Sequence, residues 1–201
     1  MSNTPKSYQF KIVLQDVSPP IWRRIRISTK STTNELALAI MDSMQWFGIN
    51  YYRFILEKSI CFPDYDEGGD TEDTHEVLTS TFVDCESIEF EYTIQYEIGE
   101  GWMHTILYEG EFDDDCDTNG PKCLKGERAC PYDDLKGCAR AYDDFLKIVM
   151  DKTHPDRDRT LYFNSTKDDF DSEVFNIETV EFRKAGPKGT KLECWPMKYI
   201  I

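Results

Sequence analysis

The sequence predicts an α+β fold in one domain: a mostly antiparallel sheet with helices packed on one face. Alternating apolar and polar residues mark several short strands, best seen at Phe90, Tyr92, Ile94 and Tyr96 against Glu89, Glu91, Thr93 and Gln95. Two other stretches repeat their apolar residues at helical spacing. The chain has 201 residues, 40% of them hydrophobic and 13% aromatic, with no internal repeat. That is enough for one packed domain and argues against global disorder.

The elements follow in order. Residues 1–6 read as a disordered lead-in, 7–183 as the domain and 184–201 as a Gly/Pro-punctuated tail. Tyr8, Phe10, Ile12 and Leu14 alternate as a first strand. Ser18-Pro19-Pro20 turns the chain, and Ile21 to Ile27 returns as its hairpin partner, placing Arg23 on one face and Arg24 and Arg26 on the other. Thr32 or Thr33 caps a helix whose Leu36, Ile40 and Met44 share a face. Tyr51 to Leu56 is a further strand, and Asp64 to His75 an acidic loop. Glu89 to Glu97 and Trp102 to Tyr108 form a hairpin about Gly99 and Gly101. Glu111 to Asp117 is a second acidic loop that leads into a cysteine-bracketed one. A helix spans about Cys138 to Asp151 on Tyr142, Phe145, Leu146 and Val149. A short helix follows Pro155, and Ile177 to Arg183 is a last strand or helix.

Charge bounds the partners. Lys and Arg number 23 against 38 Asp and Glu, a formal charge of −15. Such a chain is repelled from phosphate backbones and anionic membranes, so nucleic acid and membrane are not expected as partners and a protein partner is. The first residues lack an apolar signal region, and no run approaches the roughly 18 apolar residues of a membrane span. The expected location is the cytoplasm, where the seven cysteines are free thiols or metal ligands.

Motifs spread over most of the chain carry a family resemblance. They are Pro19-Pro-Ile-Trp-Arg-Arg24, Met44-Gln-Trp46, Tyr96-Glu-Ile-Gly-Glu-Gly-Trp-Met-His-Thr-Ile106 and Cys123-Leu-Lys-Gly-Glu-Arg-Ala-Cys-Pro131. Tyr142-Asp-Asp-Phe-Leu146, His154-Pro155 and Asp169-Phe-Asp-Ser-Glu-Val-Phe175 follow. In this order they resemble the plasmid pRiA4b ORF-3-like family. The resemblance implies an α+β fold and an association with mobile genetic elements, and it supplies no reaction. Where relatives carry histidine after the Trp46 segment, this chain reads Asn50-Tyr-Tyr-Arg-Phe54. Tyr132 replaces the commoner second proline of the cysteine loop, and Leu135 stands where some members have another cysteine.

Several constellations are candidates for chemistry. Cys116, Cys123, Cys130 and Cys138 are separated by six, six and seven residues, whereas zinc knuckles use pairs two to four apart. A zinc site therefore requires the loop to fold back, with Cys123, Cys130 and His154 or His104 as ligands; the competing reading is a pair of small buried thiols holding a tight loop about Gly126. Asp115, Asp117 and Asn119 begin an EF-hand-like calcium pattern, but its twelfth position holds Gly126, with Glu127 one residue late. Asp64 to Asp70 is a poorer echo of it.

Trp102 and His104, with Glu97 and Glu100, are candidates for an acid–base cluster at a hairpin end, against a histidine bonded to a neighbouring carboxylate for structure alone. Arg23 and Arg24 are candidates for docking an anion, against pairing with internal carboxylates. Arg128 is expected to anchor a carboxylate such as Asp133 or Asp134. No phosphate loop, recombinase pattern or nucleophile elbow is present. The sequence thus favours a non-enzymatic protein-interaction module with no cofactor. A zinc-dependent site about His104, Cys123 and Cys130 is the alternative.

Overall fold

The computed structural model describes residues 6–46, 51–56, 60–62, 72–73, 79–83, 85, 88–93, 101–114, 116–131, 139–163 and 170–184. Strand β1 (Lys6–Leu14) pairs antiparallel with β2 (Trp22–Ser28), with Phe10 opposite Ile25 and Ile12 opposite Arg23. The remaining strands are β3 (Tyr51–Leu56), β4 (Ile60–Phe62), β5 (Glu72–Asp73), β6 (Ile88–Thr93), β7 (Trp102–Asp113) and β8 (Lys122–Glu127). Together they form one eight-stranded sheet in the order β5-β4-β3-β6-β7-β1-β2-β8. Every described pairing is antiparallel except β4 with β5. The expected α+β fold with a mostly antiparallel sheet is therefore the one observed.

Helix α1 (Thr33–Ser43) begins in a capping box. Glu35 N–H donates to Thr32 Oγ1 at 3.3 Å, and Thr32 N–H donates to the Glu35 carboxylate at 2.8 Å. Leu36, Ala37, Ile40, Met41 and Met44 are all buried. They pack with Phe10, Ile12, Ile25 and Ile27 from the inner face of the sheet. Because the helix is buried almost all round, its polar side chains need internal partners. Asn34 accepts from the Tyr52 hydroxyl at 2.5 Å, Ser43 donates to the Ile40 carbonyl at 2.8 Å, and Asp42 meets Arg183.

Helix α3 (Ala139–Met150) buries Tyr142, Phe145 and Val149, the stripe its sequence spacing predicts. Arg157, opening α4 (Arg157–Phe163), donates from Nε to the Val149 carbonyl at 2.9 Å and so satisfies an acceptor near the end of α3. One aromatic cluster joins Tyr52, Phe54, Phe82 and Phe90, and another stacks Trp46 on Tyr92 with centroids 4.7 Å apart.

Four local expectations need correction. Glu111 to Asp113 are not loop but the end of β7, which runs on because Gly110 takes φ +134° at a bulge opposite Gln9 and Phe10. Beyond it, Lys6 forms an ion pair with Glu111, so an acidic end faces a basic start. The first half of the cysteine loop is strand β8, held against Arg23 to Arg26 of β2. Glu72 and Asp73, inside the expected acidic loop, pair with Cys61 and Phe62. Finally, the strand or helix expected from Ile177 to Arg183 is a single 3₁₀ turn, Ile177–Thr179, capped by Asn176, with no regular structure at 180–183.

Candidate functional site

Arg23 organises the region where the sequence motifs meet. Period-two alternation turns it inward beside Ile25, and its side chain is fully buried. Among the described residues it finds no carboxylate there. Nε donates to the Ser43 carbonyl at 3.0 Å, and Nη1 to the carbonyls of Trp22 and Glu127 at 2.8 and 2.9 Å. Nη2 donates to the Arg128 carbonyl at 2.9 Å and contacts Cys130 Sγ at 3.1 Å. The planar fork thus ties the end of α1 to the chain leaving β8.

Phe175 lies over the guanidinium with its centroid 3.7 Å from Cζ. Gly126 completes the stack: a Cβ there would sit 2.6 Å from the Phe175 ring and 2.7 Å from Arg23 Cδ. Only glycine lets the strand, the arginine and the aromatic ring approach this closely.

The loop after β8 is held at each residue. Arg128, at φ 65°, donates from Nε and Nη2 to Glu173 at 3.0 and 2.7 Å and from Nη1 to the Pro19 carbonyl. Its carboxylate partner is therefore Glu173, while the expected Asp133 and Asp134 lie outside the described residues. Ala129 N–H donates to the Ser172 carbonyl at 2.9 Å, and its carbonyl accepts from the Tyr142 hydroxyl at 3.2 Å. Trp46 Nε1 donates to the Pro131 carbonyl at 2.8 Å. A second tie lies alongside: Arg183 donates from Nε and its backbone N–H to the buried Asp42 carboxylate at 2.6 and 2.7 Å, and from Nη2 to the Trp46 carbonyl at 3.2 Å. Burial pushes the Asp42 carboxyl up, against the pull of Arg183.

Cys130 is buried between Arg23 and Met44, whose Sδ is 3.1 Å from its Sγ. Its thiol accepts from one neighbour and donates to the other, as a neutral S–H can. Burial pushes the thiols of both Cys130 and Cys123 up, more than Arg23 pulls them down. That favours the protonated thiol over the thiolate that a metal or an electrophile needs. His154 is elsewhere, accepting from Asp156 N–H at 3.1 Å. Among the described residues no group of three His, Cys, Asp or Glu side chains is disposed to hold a metal ion. Of the calcium pattern, Asn119 ends a single helical turn, α2 (Cys116–Asn119). Asp115 and the Asp117 side chain lie outside the described residues.

Trp102 and His104 share the inner face of β7 and are both buried, while Met103 and Thr105 face the other way. His104 Nδ1 is 3.1 Å from the Phe90 carbonyl, which assigns the ring proton to Nδ1 and leaves Nε2 a bare lone pair. Trp46 stands edge-on to the imidazole at 5.3 Å. Neither Nε2 nor Trp102 Nε1 has a partner among the described residues. Burial pushes the imidazole pKa down to about 4, outweighing its backbone hydrogen bonds. His104 thus bonds a backbone carbonyl, and Glu97 and Glu100 lie outside the described residues.

Arg24, on the outer face, is paired with Glu109 by two bonds of 2.6 and 2.7 Å. A cleft of about 620 Å³ is lined by Ile27, Lys30, Glu35, Cys116, Arg183 and Lys184 among others, so it reaches the Asp42–Arg183 tie but not Arg23, Arg128 or Cys130.

The structure therefore brings together Arg23, Arg128 and Cys130, with Cys123 near enough to feel the Arg23 charge. Sequence reasoning missed Ser43, Asp42, Arg183 and the roles of Glu173 and Phe175. Their partners are too distant in the chain, 141 residues for Asp42 and Arg183, for any spacing rule to join them.

A protein of unknown function from Methanosarcina mazei Go1 has a crystal structure that matches with a TM-score of 0.76 at 23% identity. The match covers 90% of this chain and 99% of that one. At that identity the likeness speaks for the fold alone. No curated protein matches. Residues 6–179 match the model of the plasmid pRiA4b ORF-3-like protein family. The segments that form the Arg23 clasp are those that carried the resemblance, and the chain belongs to that family.

Proposed function

We propose that this chain is a non-enzymatic, cytoplasmic protein-interaction module belonging to a mobile-genetic-element setting. The observation that carries the reading is the use made of its chemically capable side chains. Arg23, Arg128, Cys130 and the Asp42–Arg183 pair are spent on internal bonds, and His104 is buried and neutral. A catalytic group must reach a substrate in the protonation state its task requires. What this protein offers to solvent is a folded surface with an excess of carboxylates, and the family's plasmid name supports the setting. The test is size-exclusion chromatography and pull-down from the native host lysate. A retained protein partner is expected, and a strict monomer that retains nothing overturns the reading. Metal analysis of protein purified without a His tag is the companion test: stoichiometric zinc would turn the account towards a metal site at Cys123 and Cys130.

A further inference from the structure

The outer face of the sheet carries a feature that the clasp does not use. Alternation in β1 and β2 sends Ile12 and Ile25 inward and Lys11, Trp22, Arg24 and Arg26 outward. Trp22 is nonetheless only 8% exposed. Three cations cover it: Lys11 Nζ, Arg24 Cζ and Lys125 Nζ lie 4.8, 5.3 and 5.8 Å from its ring centroid. Their stems shield the indole and their charges meet its π face.

Three positive charges within 5.8 Å of one point repel one another unless anions answer them. Arg24 has Glu109. That same carboxylate also feels the Lys11 charge, and neither Lys11 nor Lys125 makes a direct ion pair among the described residues. Glu127, opposite Trp22 in the register, makes none either. Close by, Arg26 and Lys122 both pair with Asp114. Among the described residues here, Lys11, Arg24, Arg26, Lys122 and Lys125 outnumber Glu109, Asp114 and Glu127, on a chain whose overall charge is −15. Leu107, opposite Lys11 in the register and 45% exposed, adds an apolar contact beside the cations.

We propose that Lys11, Arg24, Lys125 and Leu107, gathered about Trp22, dock an acidic segment of a partner protein that also carries an apolar side chain. This rests on the interaction-module reading. Charge complementarity selects the occupant: a few carboxylates answer the ammonium groups of Lys11 and Lys125, which have no direct ion pair among the described residues, and meet mainly the local field, which the surrounding solution screens from the rest of the chain. A nucleic-acid strand, a dense polyanion, meets the repulsion of the whole molecule.

The probe is a fluorescein-labelled peptide alternating glutamate and leucine, titrated by anisotropy at about 0.15 M ionic strength, where the screening length is about 8 Å. A glutamine-for-glutamate peptide and an oligothymidylate are the comparators. Lys11→Glu with Lys125→Glu is expected to weaken peptide binding about tenfold or more. Lys147→Glu with Lys152→Glu, which changes net charge equally at exposed positions, is expected to weaken it by less than about threefold. Both variants are checked for an unchanged thermal midpoint, and Lys11→Gln with Lys125→Gln replaces the first if it unfolds. The proposal is overturned if the wild-type protein does not bind the acidic peptide or binds the glutamine peptide equally well. Equal weakening by the two charge reversals overturns it too, as does a dependence on Lys11 and Lys125 seen with oligothymidylate alone. A lysate partner held equally by wild type and by the Lys11/Lys125 variant overturns this surface while leaving the module reading intact.

Discussion

The acid sensitivity of folding reports directly on His104. Unfolded, its imidazole titrates near 6.5; folded, burial holds it at about 4 with the proton on Nδ1. Between those values the unfolded chain binds a proton that the folded chain refuses, so stability is present above pH 6.5 and is lost as pH falls towards 4. The slope reaches about 1.4 kcal/mol per pH unit, and the two constants together give a loss of about 2 kcal/mol between roughly pH 7.5 and pH 5. Urea unfolding followed by tryptophan fluorescence at both pH values measures it, in the wild type and in His104→Phe. The carboxylates, His75 and His154 are common to both proteins, so their contributions cancel. The wild type should lose about 2 kcal/mol more than the variant. Equal losses within about 0.5 kcal/mol would refute the reasoning, because His104 would then titrate in the fold as it does in the unfolded chain. If the variant does not fold, the His104 ring proton shift in NMR gives the same answer: it should stay constant from neutral pH down to about 5.

Two further outcomes follow from the clasp. Gly126→Ala should destabilise by about 1–3 kcal/mol, since the new methyl overlaps Phe175 and the Arg23 stem; chemical denaturation checks it, and Phe175→Leu should relieve part of the loss. Arg183→Met strands the buried Asp42 carboxylate and should cost about 3–5 kcal/mol. That loss should grow as pH rises, because burial raises the orphaned carboxyl's pKa and ionising it becomes the penalty.

Much of the fold was legible because it follows local periodicity. The β1–β2 hairpin, the Thr32 cap and the Tyr142–Phe145–Val149 stripe each follow from residues within a few positions of one another. Misreadings arose where a long-range partner overrode a local signal. Glu111 to Asp113 and Lys122 to Glu127 look like acidic and cysteine-rich loops alone, yet become strands once β1 and β2 supply their hydrogen bonds. The site behaved the same way. Alternation put Arg23 and Arg24 on opposite faces, but no local rule could say that Arg23 would be fully buried among carbonyls, or that Arg128 would choose Glu173. Cys123, on β8, and Cys130, in the loop beyond it, both come to Arg23, whereas His154 and His104 bond backbone groups instead.

The most direct test of the central claim, that Arg23 closes the clasp on which the family motifs converge, is the stability of Arg23→Lys. Lysine keeps the charge but not the fork, and its three donors do not match four carbonyls set in a plane for guanidinium. The account predicts a loss of about 3 kcal/mol or more in urea unfolding, from carbonyls left buried and unbonded. A change within about 0.5 kcal/mol would contradict it, leaving the convergence of motifs without a structural role.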